Sequence, residues 1–227
     1  MDGNNQKLKE YQKVLRNIVS AFKNVPFPVV LESALGYEVL PFDKTANSEL
    51  LEDITALAHD LLFKHYKEPV TRETYRQVYG KKPRQFRVND VSGVLERELT
   101  KARVSLKAIQ QLTHLPAGGY PDFIILDKLG RTLYMDVKTT TRPSVGSPRD
   151  FFFTGLEQTL KKVICGGFHL LMGFLVKESV PEQFRVVGWK LVDLSKLRVS
   201  LKPEFNASNP EIYKAEGILA EELLETL

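Results

Sequence analysis

Asp122, Asp136 and Lys138 stand at the ends of two short apolar runs, residues 123–126 and 132–137. Each run has the length and composition of a β-strand, and Asp127-Lys128-Leu129-Gly130 between them is a turn signal. If Lys128, Leu129 and Gly130 form a three-residue loop with Gly130 left-handed, Asp127 pairs with Arg131, and the same ladder pairs Asp122 with Asp136. Side chains directly opposed in this way have Cβ atoms about 4.5–5.5 Å apart, so two carboxylates there need a shared proton or a cation between them. Strand side chains alternate, which puts Lys138 on the face of Asp136 and turns Val137 to the other. Hard oxygen ligands beside an ammonium group suit a magnesium ion and a phosphate.

That pattern resembles the PD-(D/E)xK nuclease superfamily, and within it the type II restriction endonucleases, with Pro121-Asp122 as the first element and Asp136-Val137-Lys138 as the second. The likeness is close over the hairpin and looser over residues 88–197. It implies Mg²⁺-dependent hydrolysis of a phosphodiester bond, with Mn²⁺ able to substitute. Asp122 and Asp136 would hold the metal together with the Val137 carbonyl, and Lys138 would orient the attacking water or stabilise charge on the transition state. An acid-and-lysine triplet alone is common by chance; the Pro-Asp element and the hairpin between the two give it weight.

Nucleases of this superfamily often place a further acid on the helix before the hairpin. Here the spacing predicts a long helix capped by Asn89 or Asp90 and ending near Leu112. At about 100° per residue its apolar stripe of Val91, Leu95, Ala102, Leu106 and Ile109 spans about 60°, flanked by Val94 and Leu99. Glu98 falls within the arc those flanks bound, and Glu96 points away from it. A carboxylate on a core-facing stripe is costly unless paired or bound to a cation, so Glu98 is the expected third acid and metal ligand; that neither glutamate joins the site, or that Glu96 does, are the alternatives.

The 227-residue chain is 43% apolar and 26% charged, ordinary for a globular protein and long enough for one full core with a small accessory subdomain. No apolar run approaches the ~20 residues that span a bilayer, and no signal pattern opens the chain, so a cytoplasmic protein without a membrane partner is expected. One cysteine, Cys165, excludes an intramolecular disulfide and a cysteine-rich zinc site, and the four histidines form no ligand cluster. Hydrolase-triad and dinucleotide fingerprints are missing.

The net charge is +4, yet residues 64–87 hold eight basic residues against two acids, interleaved with Tyr66, Tyr75, Tyr79 and Phe86. Binding to a phosphate backbone with occasional base stacking would use such a segment; a solvated helix face is the bland alternative. Its loop carries Lys81, Lys82 and Arg84, but the upstream glycine and following Ser or Thr of a nucleotide P-loop are missing, so no nucleotide cofactor is expected and the loop reads as a DNA-backbone contact. Beyond Lys138, residues 139–150 carry Thr139, Thr140, Arg142 and Arg149. Threonines there would bond phosphates and arginines would fork onto guanine, unless the segment is a plain surface loop.

Helices are also expected over residues 5–22, from Asn47 or Ser48 to Tyr66, over 72–79 closed by Gly80, over 151–164, and over 218–227. On the fourth of these the polar residues are Gln158, Lys161 and Lys162; the resembled nucleases sometimes use a glutamine or lysine there near the metal, which makes Gln158 the expected auxiliary site residue. Extended pieces are expected near residues 29–31 and 37–40, a buried central strand at 168–176, and another at 184–192 with Trp189 in the core. The fold class is therefore α/β: a restriction-endonuclease-like core of a mixed central sheet flanked by helices. Residues 1–87 form a mainly helical, DNA-contacting accessory region, 88–200 the catalytic core and 201–227 a C-terminal extension. The expected function is a type II restriction enzyme cutting a short double-stranded site, as a homodimer because one site per chain must cut both strands of a palindrome. A repair or junction-resolving nuclease of the same superfamily, and a non-catalytic DNA-binding module with a structural hairpin, are the alternatives.

Overall fold

A computed structural model describes residues 25–115, 119–141 and 162–199. Apart from Val25 and Val199 these fall in one compact unit, Pro26–Arg198; the other unit, Met1–Val25 with Val199–Leu227, lies almost wholly outside them, and with it the helices expected at residues 5–22 and 218–227. The order is α1 (Phe27–Leu35), β1 (Val39–Leu40), α2 (Ser48–Lys67), β2 (Val70–Thr71), α3 (Arg72–Tyr79), α4 (Val88–Leu99), β3 (Ile109–His114), β4 (Phe123–Asp127), β5 (Thr132–Thr140), β6 (Gly167–Val180) and β7 (Gln183–Asp193). One mixed sheet runs β2-β7-β6-β5-β4-β3, and β1 adds in parallel beside the start of β6. Within that path β5 and β6 are parallel and the other neighbours antiparallel. The α/β class expected from the sequence is the one observed.

Asp127 decides where the hairpin turns. It is buried, its Oδ1 accepts hydrogen bonds from Leu129 N at 2.9 Å and Arg131 N at 2.8 Å, and its Oδ2 accepts one from Arg131 Nε at 2.7 Å. Gly130 takes φ 75°, a left-handed value that a residue with a Cβ adopts only at a cost. The loop length then sets the register: Phe123 faces Met135 and Leu126 faces Thr132, as the sequence required. Gly167 opens β6 for a different reason, since a Cβ there would lie 2.4 Å from Thr132 O and push β6 off β5.

One face of the sheet meets α2 and α4. Ile54, Leu57 and Leu61 from α2 and Val91, Val94 and Leu95 from α4 share a buried core with Met135, Val137 and Met172 of the strands. Each such side chain contributes about 1.5–3 kcal/mol when fully buried. On the opposite side of β5, Tyr134 stacks on His169 at 4.8 Å, and Tyr120 and Phe27 close round the same ring. Trp189 packs against the core but stays half-buried. Among the described residues no helix is long and apolar enough to cross a membrane.

Two expectations near the site are corrected. The helix expected to reach Leu112 ends at Leu99, because Lys107, Ala108 and Ile109 donate their backbone N–H groups to the Asp53 carboxylate at 2.7–2.9 Å and Ile109–His114 pairs with β4 instead. A buried carboxylate and an open sheet edge satisfy those amides without a helix. Residues 29–31, expected to be extended, are helical in α1, where Pro28 occupies the first turn and forfeits no hydrogen bond.

Candidate active site

The hairpin register carries Asp122 and Asp136 to one end of the β4–β5 pair. Asp122 N donates to Met135 O at 3.1 Å, and Asp122 Oδ2 accepts from Val137 N at 2.8 Å, so the first aspartate is tied to the second strand through both main chain and side chain. Lys138 Nζ lies 3.7 Å from Asp122 Oδ2, in ion-pair contact with Asp136 Oδ2, and 3.3 Å from Val137 O. Side-chain exposure falls inward across the cluster, from 32% at Lys138 through 17% at Asp122 to 2% at Asp136. The site therefore opens to solvent at its lysine and is dry at its deepest acid.

Burial and crowding set the protonation states. Asp136 is raised to about 7, chiefly by burial and then by the charge of Asp122, with Lys138 pulling the other way. Burial works against the Lys138 ammonium, but Asp136 and Asp122 outweigh it and hold its pKa above the ordinary value. Glu96 is raised to about 8, again by burial first and by Asp122 next. Asp136 and Glu96 are thus both raised by burial and by the neighbouring Asp122, and Lys138 only partly offsets this.

Of the two glutamates on α4, Glu96 is the one whose carboxyl feels Asp122, Asp136 and Lys138, while Glu98 is bonded elsewhere. Glu98 accepts a hydrogen bond from Lys64 Nζ at 2.9 Å and contacts His65 Nε2 at 2.5 Å, both on α2. Glu98 does lie on the buried arc between Val94 and Leu99, as the spacing predicts, but its carboxylate is satisfied there by Lys64 and His65 rather than by a metal. Ala102, Leu106 and Ile109 are not helical, and α4 packs between α2 and β5, so one flank of its buried arc meets α2 and the other the hairpin. Glu96 lies on the hairpin flank, 3.5 Å from His114 Nε2 at the end of β3.

Lys162, one of the polar residues of the helix expected over 151–164, also reaches the cluster. Its Nζ donates to Gly119 O at 2.8 Å and Pro121 O at 3.0 Å, directly before Asp122. One sequence signal bears on it: Lys162 follows Gln158 by four positions, the spacing of one helix face. Gln158, Arg142 and Arg149 lie outside the described residues.

Among the expected DNA contacts, Lys81, Lys82 and Arg84 are exposed, on a loop whose backbone is held by Arg72 Nη2 at Pro83 O (2.6 Å) and Arg84 O (2.7 Å). Thr140 ends β5, while the Thr139 hydroxyl donates to Val88 O at 2.7 Å, tying the strand that carries Lys138 to the start of α4. Aromatics of the basic segment serve packing: Tyr75 and Tyr79 stack at 4.5 Å, Tyr79 Oη donates to Gly93 O, and Phe86 is buried. Of that set Tyr66 alone is exposed.

With this geometry, the match to known proteins is decisive. The type II restriction enzyme MjaV family matches residues 19–216. The chain belongs to that family. Over 230 residues it is 27% identical to the type II restriction enzyme MjaV of Methanocaldococcus jannaschii, a span covering 96% of this chain and 97% of that one. No solved structure matches. Type II restriction enzymes are endodeoxyribonucleases that bind double-stranded DNA and generally use a divalent metal, so this family member is a restriction endonuclease.

A hard divalent ion fits the donors present. Asp136 Oδ2 is buried and, among the described residues, no donor is aligned on it as a hydrogen bond; its compensation is the Lys138 ion pair alone. Among the described residues no three His, Cys, Asp or Glu side chains converge on one point. Two carboxylates and a main-chain carbonyl are therefore the set on offer. Such a set leaves positions for water and phosphate oxygens, as Mg²⁺ prefers.

Proposed function

We propose that Asp122, Asp136 and Lys138 form a PD-(D/E)xK centre that uses Mg²⁺, with Mn²⁺ able to substitute, to hydrolyse phosphodiester bonds in a short specific site of double-stranded DNA. The observation that carries this is the pair of facing aspartates with the Lys138 ammonium against both. Asp122, Asp136 and the Val137 carbonyl would hold the ion, with Glu96 as the third acid in place of Glu98. When bound, the ion would supply positive charge to the phosphate and acidify water. Lys138, at the open end, is placed to donate to the attacking water or to a phosphate oxygen as charge grows there. Burial and Asp122 raise Glu96 to about 8, so a cation bound beside it would favour its ionised form and metal binding would be expected to release protons.

Lys81, Lys82 and Arg84 would follow the phosphate backbone, and Thr140, Arg142 and Arg149, which come after Lys138 in the chain, would approach the bases or flanking phosphates. A homodimer would bring one centre to each strand of a palindrome, without a nucleotide cofactor, in the cytoplasm. The test is Lys138→Ala assayed on plasmid DNA with Mg²⁺. Cleavage should fall ~10²–10³-fold, the typical loss of one charge-stabilising donor, while DNA binding holds. Cleavage within tenfold of wild type removes Lys138 from the chemistry, and branched-DNA preference over discrete plasmid bands would move the function to junction resolution.

A further inference from the structure

The short turn that delivers Asp122 is held from two sides. Tyr120 is buried, its ring packed edge-on to Phe27 at 5.7 Å and stacked on His169, and its hydroxyl lies 2.6 Å from His169 Nδ1. From the other side comes Lys162, whose ammonium donates to Gly119 O and Pro121 O, the carbonyls on either side of Tyr120. Carbonyls at 2.8 and 3.0 Å occupy two of its three N–H groups. Surface lysines do not need such partners. Burial lowers the Lys162 pKa, while the charges of Asp122, Asp136 and Glu96 act to keep it protonated.

We propose that Lys162 is a positioning residue of the nuclease centre: it clamps the Gly119–Pro121 turn so that Asp122 is presented to the metal in one geometry, and it adds a second cation behind the acid cluster. This rests on the centre assigned above to Asp122, Asp136 and Lys138. Lys138 and Lys162 then divide the work. The first faces solvent and the reacting phosphate; the second is spent on the backbone and never meets DNA. Because Asp122 bonds Val137 N directly, a shift in its turn would pass to the strand that carries Lys138.

Lys162→Met, in the full-length protein, tests this beside Lys138→Ala. Three quantities are read: the Mg²⁺ concentration for half-maximal plasmid cleavage, Mn²⁺ binding followed by loss of the free-ion EPR signal, and the salt dependence of DNA binding in EDTA. Removing a group that holds a metal ligand in place typically costs 10–100-fold in affinity, so both metal measurements should weaken by about tenfold or more while the salt dependence stays that of wild type. Wild-type metal responses overturn the proposal even if the melting temperature drops, since that is the mark of a merely structural lysine. A log–log salt slope flatter by about 0.9 overturns it too, because Lys162 would then be a phosphate contact. Should Lys162→Met not fold, Lys162→Gln, which can still donate to one carbonyl, is read against the same three outcomes. If Lys138→Ala cuts like wild type, the centre itself is misassigned; if Lys138→Ala is inactive and Lys162→Met is normal, only the role of Lys162 falls.

Discussion

Glu96 and Glu98 sit two residues apart on one helix, with side chains 17% and 11% exposed, and their carboxyls are shifted in opposite directions. Burial would raise both. At Glu98 the hydrogen bonds from His65 and Lys64 more than offset it, and the group is held below the ordinary glutamate value. At Glu96 burial is reinforced by Asp122 and Asp136, and the group rises to about 8. The α2–α4 junction thus brings its own counter-charge, whereas the hairpin end brings acids in excess of it. An acid that the fold completes is a fastening; acids left short of positive charge mark where an external cation is called for.

Paired substitutions should break that contrast most visibly in activity. Glu96→Gln should cut Mg²⁺-dependent plasmid cleavage by about 10–100-fold, the cost of weakening a metal site, and Glu98→Gln should leave it near wild type. Stability should reverse the order. Glu98→Gln leaves buried His65 without its charged partner and costs about 1–3 kcal/mol, whereas Glu96→Gln should be neutral or stabilising in EDTA. Equal losses of cleavage from the two variants would mean that opposite electrostatics do not separate function from structure on this helix.

The hairpin is legible in the sequence because its turn chemistry is local. Asp127, Gly130 and the loop length fix the register without help from the rest of the chain, and the register alone makes Asp122 face Asp136. Glu96 is not legible, because a helical wheel shows that Glu98 turns inward but not that Lys64 and His65 of another helix wait there to pair it. The end of α4 is not legible either: Asp53, more than fifty residues away in sequence, recruits the amides of residues 107–109. Lys162 is visible in the sequence only as one polar residue among three on its helix, because its partners are backbone carbonyls and no side-chain motif announces them. The central strand is readable as a nearly continuous apolar run, as a strand covered on both faces must be.

A smaller effect sharpens the comparison before any DNA is present. Asp136 at about 7 and Glu96 at about 8 are raised in the folded state, so their protonated forms contribute stability that is complete below the usual carboxylate range of about 4. That contribution is lost as pH rises through 7 and 8. In EDTA the melting temperature should therefore decline from mildly acidic to mildly alkaline pH, and Asp136→Asn should flatten the decline and melt above wild type at pH 8. Divalent metal should restore wild type and not the variant. On the acid side His169, depressed by burial to about 4, acts oppositely: its stability is present above about 6.5 and lost as pH falls through 4. A variant that melts below wild type at pH 8 and still responds fully to metal would show that the two aspartates share no cation.

The smallest effect belongs to charges on the open surface. Lys81, Lys82 and Arg84 are exposed, but the loop beneath them is not loose: Arg72 holds Pro83 O and Arg84 O, and Glu182 Oε1 accepts from Phe86 N at 3.4 Å. A fixed backbone with exposed cationic tips, of which only Lys82 has an ion-pair partner among the described residues, Glu73 at 3.7 Å, suits a phosphate track better than a fastening, because the entropy of ordering the loop is spent before DNA arrives. Thr139, bonded to Val88 O, connects the strand of Lys138 to the element that follows this loop. Replacing all three cations by alanine should weaken binding to specific and random DNA alike, since phosphate contacts carry no sequence information. Every phosphate left without its cation should flatten the log–log salt dependence by about 0.9, with little change in melting temperature or in the Mg²⁺ concentration for half-maximal cleavage. An unchanged salt slope would return the loop to solvated surface and leave the DNA path to residues after Thr140. A selective loss at the cognate site would instead make Arg84 a base reader.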